Sequence, residues 1–292
     1  MARIAWIGTG IMGASMCGHL MAAGHEARIF NRTRSRAADL ERAGARWCES
    51  PAEAAQGAEF VFTMVGLPSD VDDVVLGPDG VLESMEAGGI FIDMTTSSPD
   101  LAAHIYEKAA AKDVSGLDAP VSGGDVGARE ATLAIMVGGE RRAFDRALPL
   151  FELMGKTVVH MGGPGAGQHT KMSNQILIAS TMIGVVESLL YASKAGLDRD
   201  LVVDVIGRGA AASWSLNTLG RRITSEDFSS GFLIRHFIKD MGLALDEARR
   251  MGLALPGLAL VHQFYMAASA MGMDNLCTQA LYTVCERLNG RV

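Results

Sequence analysis

The chain has 292 residues, enough for one large domain or two ordinary ones. It is 49% hydrophobic and 20% charged, the balance of a globular protein with a substantial core. Its net charge of −7 argues against a nucleic-acid partner, which needs a concentrated basic surface. The four cysteines, Cys17, Cys48, Cys277 and Cys285, lack C-x-x-C pairing and His partners at metal spacing. They read as the reduced thiols of a cytoplasmic protein, not as a disulfide framework or a zinc site. The glycines at 8, 10 and 13 interrupt the apolar start, so it does not read as a signal peptide. The longest apolar run, Ile176 to Val186, stops at Glu187, well short of a membrane span, and no membrane association is expected.

Short apolar runs alternate with amphipathic segments from residue 1 to 163. Strands are expected at Arg3–Ile7, Glu26–Phe30, Phe60–Val65, Ile90–Asp93, Val114–Leu117, Leu133–Val137 and Val158–Met161. Helices are expected between most of them, at Gly13–Ala23, Arg34–Ala43, Ser69–Val75, Pro99–Ala111 and Arg141–Met154. Ser50-Pro51 and Ser98-Pro99 look like helix starts, with Ser as the cap and Pro at the first helical position. Such alternation implies βαβ units and a mainly parallel, doubly wound α/β sheet of the Rossmann type. The pattern changes at Gly162-Gly163-Pro164-Gly165-Ala166-Gly167. Residues 168 to about 195 then form one long helical run, and helices follow at about 198–209, 214–223, 237–251, 256–271 and 275–289. The expected domains are therefore 1–163, binding a dinucleotide, and 164–292, all-α and serving substrate binding and oligomerisation.

Gly8-Thr9-Gly10-Ile11-Met12-Gly13 is G-x-G-x-x-G between the first strand and the first helix. The first glycine permits the turn, the second lets backbone approach a pyrophosphate, and the third packs helix on strand. The phosphates would meet the helix N-terminus, with Ile11 and Met12 of the turn among the cofactor-binding residues. At the end of the second strand NAD sites usually carry Asp or Glu, for the ribose 2′-hydroxyl. Here Asn31-Arg32-Thr33 stands instead. The absence of a carboxylate and the guanidinium of Arg32 favour the 2′-phosphate of NADP, with NAD the alternative.

Asp118-Ala119-Pro120-Val121-Ser122-Gly123-Gly124 follows the fifth strand, at the end of the sheet where ligands bind. The Ser122 hydroxyl with the backbone N–H groups of Gly123 and Gly124 suits a substrate carboxylate, and ordinary turn chemistry explains the same residues. In Gly165-Ala166-Gly167-Gln168-His169-Thr170-Lys171-Met172-Ser173-Asn174-Gln175, residues Lys171, Asn174 and Gln175 share one helical face. Polar groups at the head of an apolar helix call for something polar to meet them. Lys171 could exchange a proton with a substrate oxygen, its pKa lowered by partial burial, or could reach out to solvent. His160, His169 and His236 fit no metal-ligand spacing, and no metal is expected.

These four separated motifs, IGTGIMG, DAPVSGG, GAGQHTKMSNQ and the late Phe237-Ile238-Lys239-Asp240, resemble the β-hydroxyacid dehydrogenase family over essentially the whole chain. The family includes 3-hydroxyisobutyrate dehydrogenase and tartronate semialdehyde and glyoxylate/succinic semialdehyde reductases. The resemblance implies NADP-dependent exchange of a hydride with a short carboxylate-bearing semialdehyde. Lys171 is then the acid/base, and Ser122, Gly123 and Gly124 hold the carboxylate. Asn174 and Gln175 position the lysine and the substrate, while Thr96 and Lys239 approach the cofactor. Asp240 either orients Lys239 or is a solvated charge. Trp214 either lines the substrate pocket or is core.

The Lys-x-x-Asn-Gln order resembles the tartronate branch, whereas Asn-Arg-Thr resembles the glyoxylate/succinic semialdehyde branch. Two other readings are an imine reductase, disfavoured by Lys171, and a non-catalytic NADP-binding regulator. The Met-rich apolar α domain, with the family, suggests a homodimer or homotetramer.

Overall fold

The computed structural model describes residues 1–229 and 231–290. Contacts divide the chain into two compact units, Met1–Lys171 and the residues from Met172 onward. The division falls inside the long helix that follows the Gly-rich turn.

The first unit runs β1 (Arg3–Ile7), α1 (Ile11–Ala22), β2 (Glu26–Phe30), α2 (Ala38–Arg42), β3 (Arg46–Trp47), α3 (Pro51–Ala55), β4 (Phe60–Thr63), α4 (Pro68–Leu76) and α5 (Val81–Ser84). It continues with β5 (Ile90–Asp93), α6 (Pro99–Ala110), β6 (Ser115–Asp118), β7 (Val121–Ser122), α7 (Gly124–Arg129), β8 (Leu133–Gly139), α8 (Arg141–Phe151) and β9 (Gly155–Gly162). The strands form one sheet in the order β3-β2-β1-β4-β5-β6-β8-β7, with β9 on β8. Pairing is parallel from β3 to β6 and antiparallel where β8 meets β6 and β7.

The strand order reverses between β1 and β4, which opens a crevice at their carboxyl ends. Alternation along β1 sends Ile4 and Trp6 into one apolar layer and Ala5 and Ile7 into the other. Both faces of the sheet are thus covered, as near-continuous apolar parallel strands require. Ser50 and Ser98 cap α3 and α6 as expected, accepting from the N–H groups of Glu53 and Leu101 at 3.1 Å.

Helix α9 spans Ala166–Lys194. It is followed by α10 (Arg199–Ile206), a π-helical stretch at Ser215–Gly220, α11 (Arg221–Thr224), α12 (Ile234–Arg250), α13 (Pro256–Ala270) and α14 (Leu281–Leu288). Among the described residues this half holds no strand, only an isolated bridge between Leu233 and Cys277. Its core gathers Ala179, Met182, Val186 and Leu189 of α9 with Phe237, Met241, Tyr265 and Leu281. Tyr265, fully buried, packs edge-on to Phe237 and donates its hydroxyl to Thr278 O at 2.9 Å.

By length and composition α9 could cross a membrane, with a mean hydropathy of 1.7 over 18 residues. The helix continues past Glu187 to Lys194. A third of that window is buried inside the protein, because α9 supplies the core of the second unit.

Candidate active site

The turn between β1 and α1 is shaped by contacts that only glycine allows. Gly8 has φ +98°, and a Cβ there would stand 2.3 Å from Met64 O. A Cβ at Gly13 would stand 2.0 Å from Gly8 O, the carbonyl that also accepts from Trp6 Nε1 at 3.0 Å. A Cβ at Gly10 would meet nothing within 4 Å. Gly10 is the N-cap of α1 and brings no side chain to its first turn. Ile11 is largely exposed, and the buried Thr9 hydroxyl has no hydrogen-bond partner among the described residues. The Thr9 N–H donates to Asn31 Oδ1 at 3.0 Å, and Asn31 Nδ2 donates to Thr33 O at 2.8 Å, so the ends of β1 and β2 are braced together. An open backbone cradle, an unpartnered hydroxyl and a helix N-terminus fit the diphosphate of a dinucleotide.

Arg32 is largely exposed, and its Nη1 lies 3.2 Å from Asp70 Oδ1. The other oxygen of Asp70 accepts from the Leu67 N–H at 3.0 Å, at the start of α4. A carboxylate therefore does stand beside Arg32, just past the carboxyl end of β2, delivered by α4 and not by β2. Asp70 lies 38 residues from Arg32, so the sequence around the end of β2 does not reveal it. Arg34 stacks 5.0 Å over Trp47 and pairs with Glu41 at 3.0 Å.

At the carboxyl ends of β5 and β6, register pairs Asp93 with Asp118, and both are buried. Asp93 Oδ1 accepts from the Thr63 hydroxyl at 2.7 Å and the Thr95 N–H at 3.0 Å. Asp118 accepts from the backbone N–H groups of Gly165 and Gln168, each at 2.8 Å. Burial, assisted by the Asp93 charge and opposed by these N–H groups, pushes the Asp118 carboxyl up from 3.8 to about 6. The Gln168 side chain spans to the loop after β5, accepting from Ser97 N at 3.0 Å and donating to Thr95 O at 2.8 Å. Thr96 sits half-buried between them.

Lys171, one turn on, is 6% exposed, and its Nζ donates to Val121 O at 2.8 Å. It does not reach out to solvent. Next along the chain come Ser122, Gly123 (φ +134°) and Gly124 (φ +64°), a loop that only glycines enter without strain. The first unit thus brings Lys171 beside the Ser-Gly-Gly segment. The roles of Asp118 and Gln168 were not legible in the sequence; the one available signal was Asp118 at the carboxyl end of a strand.

In the second unit, buried Gln175 donates to Asp240 Oδ2 at 2.6 Å and accepts from Asn174 Nδ2 at 2.7 Å. Lys239 Nζ lies 2.9 Å from Asp240 Oδ1. Asp240 is 1% exposed, so it is an internal partner of Lys239 and not a solvated charge. Trp214, 62% exposed, is not core. Among the described residues no three His, Cys, Asp or Glu side chains converge as a metal site would need.

A doubly wound sheet, a dinucleotide cradle at its switch point and a buried lysine beside a Ser-Gly-Gly loop define an oxidoreductase that uses a nicotinamide dinucleotide. Residues 3–163 match the NAD binding domain of 6-phosphogluconate dehydrogenase, and residues 165–285 match the NAD-binding domain of NADP-dependent 3-hydroxyisobutyrate dehydrogenase. A probable mitochondrial 3-hydroxyisobutyrate dehydrogenase-like protein of Arabidopsis thaliana is 51% identical over 288 residues, 98% of this chain and 86% of the plant protein. The 2-hydroxy-3-oxopropionate reductase of Escherichia coli is 38% identical over 97% of both chains. The solved 3-hydroxyisobutyrate dehydrogenase of Mycobacterium tuberculosis with L-serine superposes with a TM-score of 0.89 at 32% identity, covering 98% of this chain and 99% of that one. The chain belongs to the β-hydroxyacid dehydrogenase family and is an NAD(P)-dependent enzyme acting on CH–OH donors.

Proposed function

We propose that the enzyme uses NADP to interconvert a short carboxylate-bearing semialdehyde and its β-hydroxyacid, of the tartronate semialdehyde or 3-hydroxyisobutyrate type. When bound, the cofactor supplies or accepts the hydride at nicotinamide C4. Gly8, Gly10, Ile11, Met12 and Gly13 would hold its diphosphate, and Asn31, Arg32 and Thr33 its 2′-phosphate. Thr96 and Lys239 are assigned to the nicotinamide half.

The observation that carries the reading is Lys171, buried with its Nζ 2.8 Å from Val121 O and thereby aimed along the Ser122-Gly123-Gly124 segment. The Ser122 hydroxyl and the N–H groups of Gly123 and Gly124 hold the substrate carboxylate. The Lys171 ammonium, a donor with no acceptor capacity of its own, gives a proton to the substrate carbonyl oxygen during reduction. In the reverse direction it takes that proton back. Asn174 and Gln175 are assigned to the substrate side of α9. The names of the Arabidopsis, E. coli and M. tuberculosis relatives support a small hydroxyacid substrate.

The test is Lys171→Ala. Loss of a general acid should lower kcat by about 10²- to 10⁴-fold while NADPH binding, followed by its fluorescence, stays within about twofold. Undiminished turnover in that variant would remove Lys171 from the chemistry.

A further inference from the structure

Asp118 takes no part in the chemistry above, yet three elements converge on its carboxylate. It ends β6 and is 4% exposed, next to the equally buried Asp93 of β5. One oxygen accepts from Gly165 N and the other from Gln168 N, so the pair closes the first turn of α9. Two glycines make room for it: a Cβ at Gly138 of β8 would stand 2.4 Å from Oδ1, and one at Gly167 of α9 would stand 2.9 Å from Oδ2.

Elsewhere α3 and α6 are capped by partly exposed serines, Ser50 and Ser98, and α10 by Asp198, whose carboxylate is exposed at the surface. A serine accepts at one point and costs little to bury. A buried carboxylate is costly and holds at two points, which fixes the direction as well as the position of what it binds. From the turn it holds, Gln168 reaches the Thr95–Ser97 loop and Lys171 reaches Val121. One side chain thus sets the mutual register of the lysine helix, the Thr96 loop and the Ser-Gly-Gly segment.

We propose that Asp118 is a positioning residue for the reaction, its carboxylate clamping the start of α9 so that Lys171 stands where the substrate oxygen arrives. This rests on the assignment of Lys171 as the acid/base. The experiment compares kcat, semialdehyde KM and NADPH Kd for Asp118→Ala, Asp118→Asn, Lys171→Ala and the Asp118→Ala/Lys171→Ala double variant. A displacement of about 1 Å at the reacting group costs up to about 100-fold. Asp118→Ala is therefore expected to lose about 10- to 100-fold in kcat with KM and NADPH Kd within about threefold. Asp118→Asn keeps one acceptor oxygen and should fall between it and the parent. In the Lys171→Ala background the Asp118→Ala loss should vanish, because a group that acts only through the lysine has nothing left to position.

If both Asp118 variants keep kcat within twofold while Lys171→Ala has lost it, the clamp is overturned and the lysine assignment stands. An undiminished Asp118→Ala loss in the Lys171→Ala background also overturns the clamp. Full activity of Lys171→Ala overturns both. If Asp118→Ala does not fold, Asp118→Asn carries the same comparisons, alone and with Lys171→Ala.

Discussion

Among single residues, the proposed preference for NADP rests on Arg32 and its partner Asp70. An exposed ion pair is worth less than about 1 kcal/mol, so Asp70 holds Arg32 in place without fully engaging it. A 2′-phosphate would compete well for that guanidinium, since charge-assisted bonds contribute about 1.5–3 kcal/mol. Arg32→Ala should therefore lower kcat/KM for NADPH by about 10- to 100-fold and leave NADH nearly unchanged. Asp70→Asn, which can still cap α4, should raise the NADPH to NADH preference by about two- to fivefold. Initial rates with the two cofactors check both, and equal losses with NADH would contradict the assignment.

Asp118 carries a pH signature of its own. Burial raises its carboxyl to about 6 from 3.8, so between those values the folded chain binds more protons than the unfolded chain. Ionised Asp118 thus costs stability above pH 6, on the order of 3 kcal/mol, and the cost fades as pH falls toward 3.8. The stability of Asp118→Asn relative to the parent should accordingly drop between pH 7 and pH 4. Urea midpoints across that range give the answer, and a gap that stays constant with pH would refute the sign.

At the scale of elements, the β1–α1 turn offers a sharper contrast. Gly10 has φ −70° and open space for a Cβ, whereas Gly13 has none. Gly10→Ala should leave stability within about 0.5 kcal/mol and still weaken NADPH binding at least about tenfold, because the space it fills is the phosphate cradle. Gly13→Ala should lower both stability and binding, as α1 is pushed off Gly8 O. Thermal melts beside NADPH titrations separate the two, and tight NADPH binding by Gly10→Ala would contradict the cradle.

The longer strands and helices were readable because period and turn residues mark them over five or more positions. β3 and β7 are two residues each, Arg46–Trp47 and Val121–Ser122, too short to show a period. The glycine turn and the lysine helix were legible as local strings. Asp70 beside Arg32 is 38 residues distant, and Gln168 bridges 71 residues to Ser97. Polar partners so far apart follow no local pattern, and only the folded sheet brings them together.

The whole molecule presents several bare apolar side chains in its second unit. Leu177 and Tyr191 of α9 and Leu201 and Val205 of α10 are each more than 60% exposed. Leu201 and Val205, four residues apart, form a short stripe on one face of α10. Covering such a stripe favours self-association, and we propose a homodimer or homotetramer. Light scattering should return twice or four times the 30.9 kDa of the chain, and Leu201→Glu with Val205→Glu should reduce it. A monomer at micromolar concentration would contradict this.

We propose that this dehydrogenase reduces a small carboxylate-bearing semialdehyde with NADPH. The most direct test is the initial rate of NADPH oxidation, then of NADH oxidation, against tartronate, methylmalonate and succinate semialdehydes and glyoxylate. One clear NADPH-dependent substrate, tartronate or methylmalonate semialdehyde, should be turned over faster than succinate semialdehyde or glyoxylate. Equal or faster rates with NADH, or no turnover of any of the four while NADPH binds tightly, would contradict it.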